Sequence, residues 1–262
     1  MLSGTWTYIV ALGAGFLVAT VASPVGVSGA VLLLPFQVTV LGTPSRAVTP
    51  TNLLYNIVAT PGALYRYWRQ HQTGGALTGV LLIGTLPGVV VGSIIRVEFL
   101  AGQRAIDLIV GVVLVILGSS LLLDRRRLAS DAPTGNRLPS PVITVVAAIV
   151  GCVGGIYGIG GGSILAPILV RSHRDPAEVA PATLASTFVT SVAGVITFLL
   201  LATQKHGPIA PDWTLGLCLG AGGLIGSYTG ARLQPQLPRT LIRNVLGVLV
   251  SVIGLRYLWI AA

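Results

Sequence analysis

Three groups of small polar residues could do chemistry in this otherwise apolar chain. The first is the run 158–163, Gly158-Ile159-Gly160-Gly161-Gly162-Ser163, which opens an apolar segment. A helix starting there offers unpaired backbone N–H groups and the positive end of its dipole. Glycine lets a ligand approach that backbone closely, and Ser163 adds a hydroxyl. Together they make a cradle for a small oxyanion. The second group, Ser28-Gly29, stands at the matching place in the first half of the chain. The third lies just beyond each glycine segment: Asn52 and Asn56 after the first, Thr183 and Thr187 after the second. A spacing of four puts each pair on one helix face. Neutral amides and hydroxyls can ligate an oxyanion without burying a fixed charge. They also cap helices and bond them to one another, and the two readings weigh equally.

Other chemistry is poorly supplied. No carboxylate falls in the middle of an apolar run, and Asp107 reads as interfacial. His71, His173 and His206 fall in connecting segments. A proton relay across a membrane usually needs an acid or His at depth. Cys152 and Cys218 lie in apolar stretches and read as small fillers. No nucleophile–base pair or metal-ligand spacing is visible. The expectation is therefore a protein that is not an enzyme and takes no cofactor or metal.

The elements that must position these residues follow from composition. The chain has 262 residues, 53% hydrophobic and 9% charged. A soluble domain carries about 25% charged residues, so this chain cannot cover a water-facing surface. It reads as an all-α polytopic membrane protein, with spans of about 20 apolar residues. Its net charge of +9 reflects basic residues scattered in short loops. That is the pattern of a cytoplasmic-side bias, and nucleic acid is not expected as a partner. Apolar runs fall at 5–23, 30–41, 47–65, 76–95 and 105–123, then at 142–157, 163–170, 179–203, 213–231 and 240–260. The polar stretch 124–141 separates a first repeat, 1–123, from a second, 142–262. Trp6, Tyr8, Tyr65, Tyr67, Trp68, Trp213, Tyr257 and Trp259 gather near run ends, as an interfacial belt would.

The halves share landmarks. GVSGAVLLLP at 26–35 matches GIGGGSILAP at 158–167, and Pro50 follows the first as Pro181 follows the second. Gly84, Gly88 and Gly92 match Gly222, Gly226 and Gly230, and each trio reads as a helix-packing stripe. Gly111 and Gly118 match Gly247 and Gly254. The run 30–41 is too short to cross a core of about 30 Å. Each repeat is therefore expected to be a re-entrant helical hairpin plus about three transmembrane helices. With 124–141 cytoplasmic, five of the 16 Lys and Arg (Arg46, Arg96, Arg104, Lys205, Arg256) face outward and the rest inward. Parallel halves would split them evenly, so inverted repeats are preferred. Both hairpin tips then reach the midplane, where broken helices bind substrate in secondary transporters. Non-helical backbone at that depth must line a cavity or be buried in protein, which favours a site at 158–162.

These residues resemble the TauE/SafE sulfite exporter family over roughly 9–258: the glycine segment 158–167, its copy at 26–35, the segments around Pro50 and Pro181, and the duplication. Ser28 and Ala30 stand where the second copy has glycines. The resemblance implies a bacterial inner-membrane protein that moves sulfite, a sulfonate or a similar small anion. Alternating access would carry the anion past Ser28, Gly29, Gly160, Gly161, Gly162 and Ser163, with Asn52, Asn56, Thr183 and Thr187 completing the shell. The expected partners are that anion, the lipid bilayer and, as an option, further copies of the chain. The alternative is a non-transporting membrane subunit that assembles or stabilises a partner.

Overall fold

The computed structural model describes residues 5–41, 43, 45–72, 74–98, 104–123, 138–172, 174–204 and 209–261. The segment 124–137, most of the expected linker, lies outside the described residues. Among those described, the regular structure is all helical. The first half holds α1 (Thr5–Ala22), α2 (Ala30–Thr39), α3 (Ser45–Arg69), α4 (Gly75–Glu98) and α5 (Arg104–Leu123). The second holds α6 (Ser140–Tyr157), α7 (Gly162–Arg171), α8 (Pro176–Gln204), α9 (Trp213–Leu233) and α10 (Arg239–Ala261). Among the described residues, five helical stretches are long and apolar enough to cross a membrane: Trp6–Val25, Gly75–Glu98, Ser140–Tyr157, Pro176–Gln204 and Thr240–Trp259. Large apolar side chains such as Ile83, Ile116, Ile149 and Ile225 point outward, as a lipid-facing surface requires.

Glycine explains how closely the helices pack. A Cβ at Gly84, Gly88 or Gly92 on α4 would strike the carbonyl of Thr144, Ala148 or Cys152 on α6. A Cβ at Gly222, Gly226 or Gly230 on α9 would strike the carbonyl of Leu12, Phe16 or Thr20 on α1. Each glycine thus meets a carbonyl one turn further along its neighbour. These are packing stripes, as their spacing indicates.

The same contacts fix helix direction. Because both numberings rise together, α4 runs alongside α6 in one sense, and α1 alongside α9. Gly216 meets Leu54, Gly220 meets Val58 and Gly62 meets Leu224, so α3 shares the direction of α9. By contrast, Leu53 packs with Val195 and Phe198, while Ala63 and Tyr67 pack with Ala180 and Leu184. Helices α3 and α8 are therefore antiparallel. So are α5 and α10, where Gly111 meets Leu258 and Gly118 meets Ser251.

The two arms that open each half are unequal. The first arms, α1 and α6, have 18 residues each, about 27 Å and close to a full span. The second arms, α2 and α7, have 10 residues each, about 15 Å or half a span. Gly26 and Gly158 end the preceding helical turns with φ of +74° and +71°, a conformation that favours glycine. The Gly26 turn is pinned at the end of α3, where the Tyr67 hydroxyl donates to the Ser23 carbonyl (3.1 Å). Gln234 Nε2 holds the same turn by donating to the Pro24 carbonyl (2.7 Å). The Gly26 turn also accepts from Thr183 on α8, the residue whose carbonyl abuts Gly162 at the start of α7. The aromatic belt is also partial. Trp6, Trp68 and Trp259 are exposed, but Tyr67 and Tyr257 are buried among the helices.

Candidate functional site

Helix α2 begins halfway along α3, and α7 begins partway along α8. The Ser28 hydroxyl donates to Asn56 Oδ1, and Asn56 is in the middle of α3. The Gly162 N–H donates to Thr187 Oγ1 (3.2 Å). The two starts also touch each other, since the Ser28 N–H donates to Ser163 Oγ (3.0 Å). Two helix N-termini thus converge, each carrying about half a positive charge. Fixed Lys or Arg is absent from the residues named around this point.

Around this meeting point nine of the ten sequence-identified residues fall into two linked groups. Ser28, Gly29, Asn56 and Ser163 form the first. The Ser28 hydroxyl also accepts from the Ala30 N–H (3.1 Å), tying the start of α2 to α3. Gly160, Gly161, Gly162, Thr183 and Thr187 form the second. Thr183 Oγ1 donates to the Gly26 carbonyl (2.9 Å), so a second-half residue holds the first-half turn. Thr49 Oγ1 makes the converse link to the Ile156 carbonyl (3.2 Å). Asn52 stands somewhat apart and takes a hydrogen bond from Gln37 Nε2. All of these polar residues are buried. Asn52 Nδ2, Asn56 Nδ2 and Gln37 Oε1 have no hydrogen-bond partner among the described residues. A buried amide donor without a partner costs about 1–3 kcal/mol unless something occupies it.

The glycines are closely covered in this state. A Cβ at Gly160 would lie 2.6 Å from the Thr187 methyl, and one at Gly161 would lie 2.6 Å from the Thr85 methyl. One at Gly162 would strike the Thr183 carbonyl. The crevice lined by Ser28, Gly29, Tyr55, Asn56, Thr60 and Ser227 has a volume of about 10 Å³. That is room for about one water molecule and too little for a sulfur oxyanion. The arrangement is a small, buried polar centre.

Three contributors were not singled out in the sequence. Tyr55 lines the crevice and abuts Gly29 and Gly223. Thr85, in the middle of α4, hydrogen-bonds Ser186 across the helix interface (2.9 Å) and abuts Gly161. Gln37 is fully buried on α2. Aligning Pro50 with Pro181 pairs Tyr55 with Ser186, and aligning Gly84 with Gly222 pairs Thr85 with Gly223. The large-against-small contact of Tyr55 and Gly223 between α3 and α9 thus corresponds to the medium-against-medium contact of Thr85 and Ser186 between α4 and α8. That exchange of volumes is the signal that finds Tyr55 and Thr85, and it does not extend to Gln37.

The family model for sulfite exporter TauE/SafE matches residues 11–257. The chain belongs to the TauE/SafE sulfite exporter family. It is 27% identical over 263 residues to a probable membrane transporter protein of Xylella fastidiosa (strain 9a5c), covering 96% of this chain and 95% of the relative. It is 23% identical over 277 residues to the probable membrane transporter protein YunE of Bacillus subtilis (strain 168), covering 97% and 98%. A shorter match, 38% over 69 residues, is to the sulfite exporter TauE/SafE family protein 6 of Arabidopsis thaliana, covering 26% and 15%. No solved structure matches the chain. As a member of the TauE/SafE family with several spanning helices, it is a multi-pass membrane protein.

Proposed function

We propose that this chain is a secondary transporter that exports small sulfur-containing anions, such as sulfite or a short sulfonate, across a bacterial inner membrane. One observation carries the reading: two half-length helices meet start to start, Ser28 N–H on Ser163 Oγ, at mid-height between α3 and α8. Half-helix N-termini at the bilayer midplane are where secondary transporters hold anionic groups. Ser28, Gly29, Gly160, Gly161, Gly162 and Ser163 supply backbone and hydroxyl donors. Asn56 offers an amide donor that is otherwise unpaired, and Asn52, Thr183 and Thr187 complete the surround. The family description and the relatives' names support the transporter class.

The repeats are inverted in this proposal. Helices α1, α3 and α9 share one direction, α4 and α6 run together, and α3 opposes α8. The Thr85–Ser186 bond and the approach of Gly194 to Val89 align α8 with α4. Corresponding helices α1 and α6, α3 and α8, α4 and α9, and α5 and α10 then all oppose each other. That supports the arrangement preferred by the charge distribution. The small, buried crevice represents an occluded form, and alternating access opens it to one side at a time.

The test is flux. Purified protein in liposomes should accelerate entry of labelled sulfite or a short sulfonate over empty vesicles, and unlabelled sulfite should compete. No acceleration with any small sulfur oxyanion, in either direction of gradient, would sink the transporter reading.

A further inference from the structure

The groove between α3 and α8 holds two hollows, one above the other. The first is the small, buried crevice beside the start of α2, reaching Thr60 on α3 and Leu184 on α8. The second is a cleft of about 350 Å³ near the end of α3, lined by Leu64, Tyr67, Trp68, Thr78, Pro181 and Ala185 among others. Thr60 and Leu64 are one turn apart on α3. On α8, Pro181 lies three residues before Leu184, one turn away, and four before Ala185. Ala63, Tyr67, Ala180, Leu184 and Ala231 pack as a buried cluster with Leu64 against it; Leu64 and Tyr67 also line the cleft and Leu184 the crevice, so this layer separates the two hollows. Tyr67 and Leu184 are 1% and 3% exposed, so the layer is closed. Tyr67 is also latched, through its hydroxyl to the Ser23 carbonyl, and Ser23 itself lines the crevice.

We propose that the 350 Å³ cleft is the entrance through which a small anion reaches the centre, and that Leu184 and Tyr67 form its gate. This rests on the reading that the crevice is the anion site. An apolar layer one residue thick stops a hydrated anion, because passage requires stripping its water with nothing to replace it. Opening requires Tyr67 to release Ser23 and Leu184 to leave the α3 face. The Thr183 bond to the Gly26 carbonyl couples the residue beside Leu184 to the same turn, so turn and gate move together.

Access can be measured without assuming any binding. The full-length protein carries Cys152→Ser, Cys218→Ser and one reporter, Thr60→Cys in the crevice or Thr78→Cys in the cleft. The probe is a small anionic methanethiosulfonate bearing a sulfonate. Thr78→Cys should label rapidly and Thr60→Cys slowly. Adding Tyr67→Phe, which keeps the ring and removes one hydrogen bond, should speed Thr60→Cys labelling about five- to tenfold. Leu184→Ala should speed it at least as much, with Thr78→Cys unchanged. If Leu184→Ala does not purify, Tyr67→Phe carries the test alone. Unchanged Thr60→Cys labelling in the purified gate variants would overturn the gate. Faster labelling in a protein that moves no sulfur anion in liposomes would keep the gate and overturn the transporter reading instead.

Discussion

Thr85 lies against two glycines in different ways, which allows one packing prediction to be worked through. A Cβ at Gly161 would sit 2.6 Å from the Thr85 Cγ2 methyl, 3.1 Å from the Thr85 Cβ and 3.8 Å from the Gly151 Cα. A Cβ at Gly151 would sit 2.6 Å from the Thr85 carbonyl oxygen and 2.7 Å from the Thr85 Cα. Gly161 has φ −66° and ψ −27°, so alanine meets no backbone strain there. Both alanine variants overpack a buried contact by under 1 Å, a cost of about 1–3 kcal/mol each. The remedies differ. Thr85→Ser deletes the methyl that Gly161→Ala would strike. It keeps the hydroxyl that bonds the Leu81 carbonyl (2.8 Å) and Ser186 (2.9 Å). It leaves the backbone that Gly151→Ala would strike. Thr85→Ser should therefore restore most of the loss in Gly161→Ala and none in Gly151→Ala. The coupling energy should be about 1–2 kcal/mol in the first pair and near zero in the second. Thermal unfolding of detergent-purified protein reads this as a recovery of roughly 2–6 °C. Equal, additive effects of Thr85→Ser in both backgrounds would show that the glycine run is not held against α4 as described.

Asn56→Asp replaces an amide with a carboxylate of the same shape beside two helix N-termini. Burial of the unpaired carboxylate outweighs the favourable dipoles, so the unfolding temperature should fall, while sulfite flux and sulfite-induced stabilisation are lost; unchanged flux would move the site elsewhere. In the unmodified protein, sulfite, sulfate and a short sulfonate should raise the unfolding temperature with apparent Kd on the order of micromolar to millimolar, competing for one site. A metal cation or an amino-acid zwitterion stabilising where no sulfur oxyanion does would overturn the anion assignment. Topology is checked by Ser130→Cys in a background lacking Cys152 and Cys218. An impermeant thiol reagent should leave it unlabelled in intact cells and label it in inverted vesicles.

Much of the scaffold was legible in the sequence because its signals are local. Apolar runs bounded by Gly and Pro gave α4, α6, α7 and α9 within a few residues. Repeated glycines at spacing of four identified the faces that meet α6 and α1. Spacing of four placed Asn52 with Asn56 and Thr183 with Thr187 on one face each, and those faces are buried. Three features escaped because they depend on where chains meet. The expected turning points at 26–29 and 158–162 were placed at mid-depth. Within those segments Gly26 abuts Thr183 and Gly158 abuts Thr49, while Ser28 and Gly162 reach Asn56 and Thr187 further along α3 and α8. Thr85 was hidden inside a packing stripe, since nothing in its neighbours distinguishes a hydroxyl facing Ser186 from one facing lipid. Tyr67 looked like a belt residue because it lies between Tyr65 and Trp68. A helix turns about 100° per residue, so Tyr65 and Trp68 share an outward face while Tyr67 points inward.

The pairing of α5 with α10 bears on how the molecule is made. Each is the last helix of its half, and they lie antiparallel against one another, with Gly111 on Leu258 and Gly247 on Leu122. Likewise α1 lies on α9, and α4 on α6. A ribosome adds roughly 5–20 residues per second, so α5 reaches the bilayer on the order of ten seconds before α10. During that interval the carbonyl-lined face of α1 and the glycine face of α5 have only lipid, or an insertion chaperone, to cover them. Truncation after residue 123 should therefore yield an inserted but unassembled fragment, prone to proteolysis. Co-expression of 1–123 with 124–262 should restore a folded complex if the halves are recognised by these faces rather than by covalent connection.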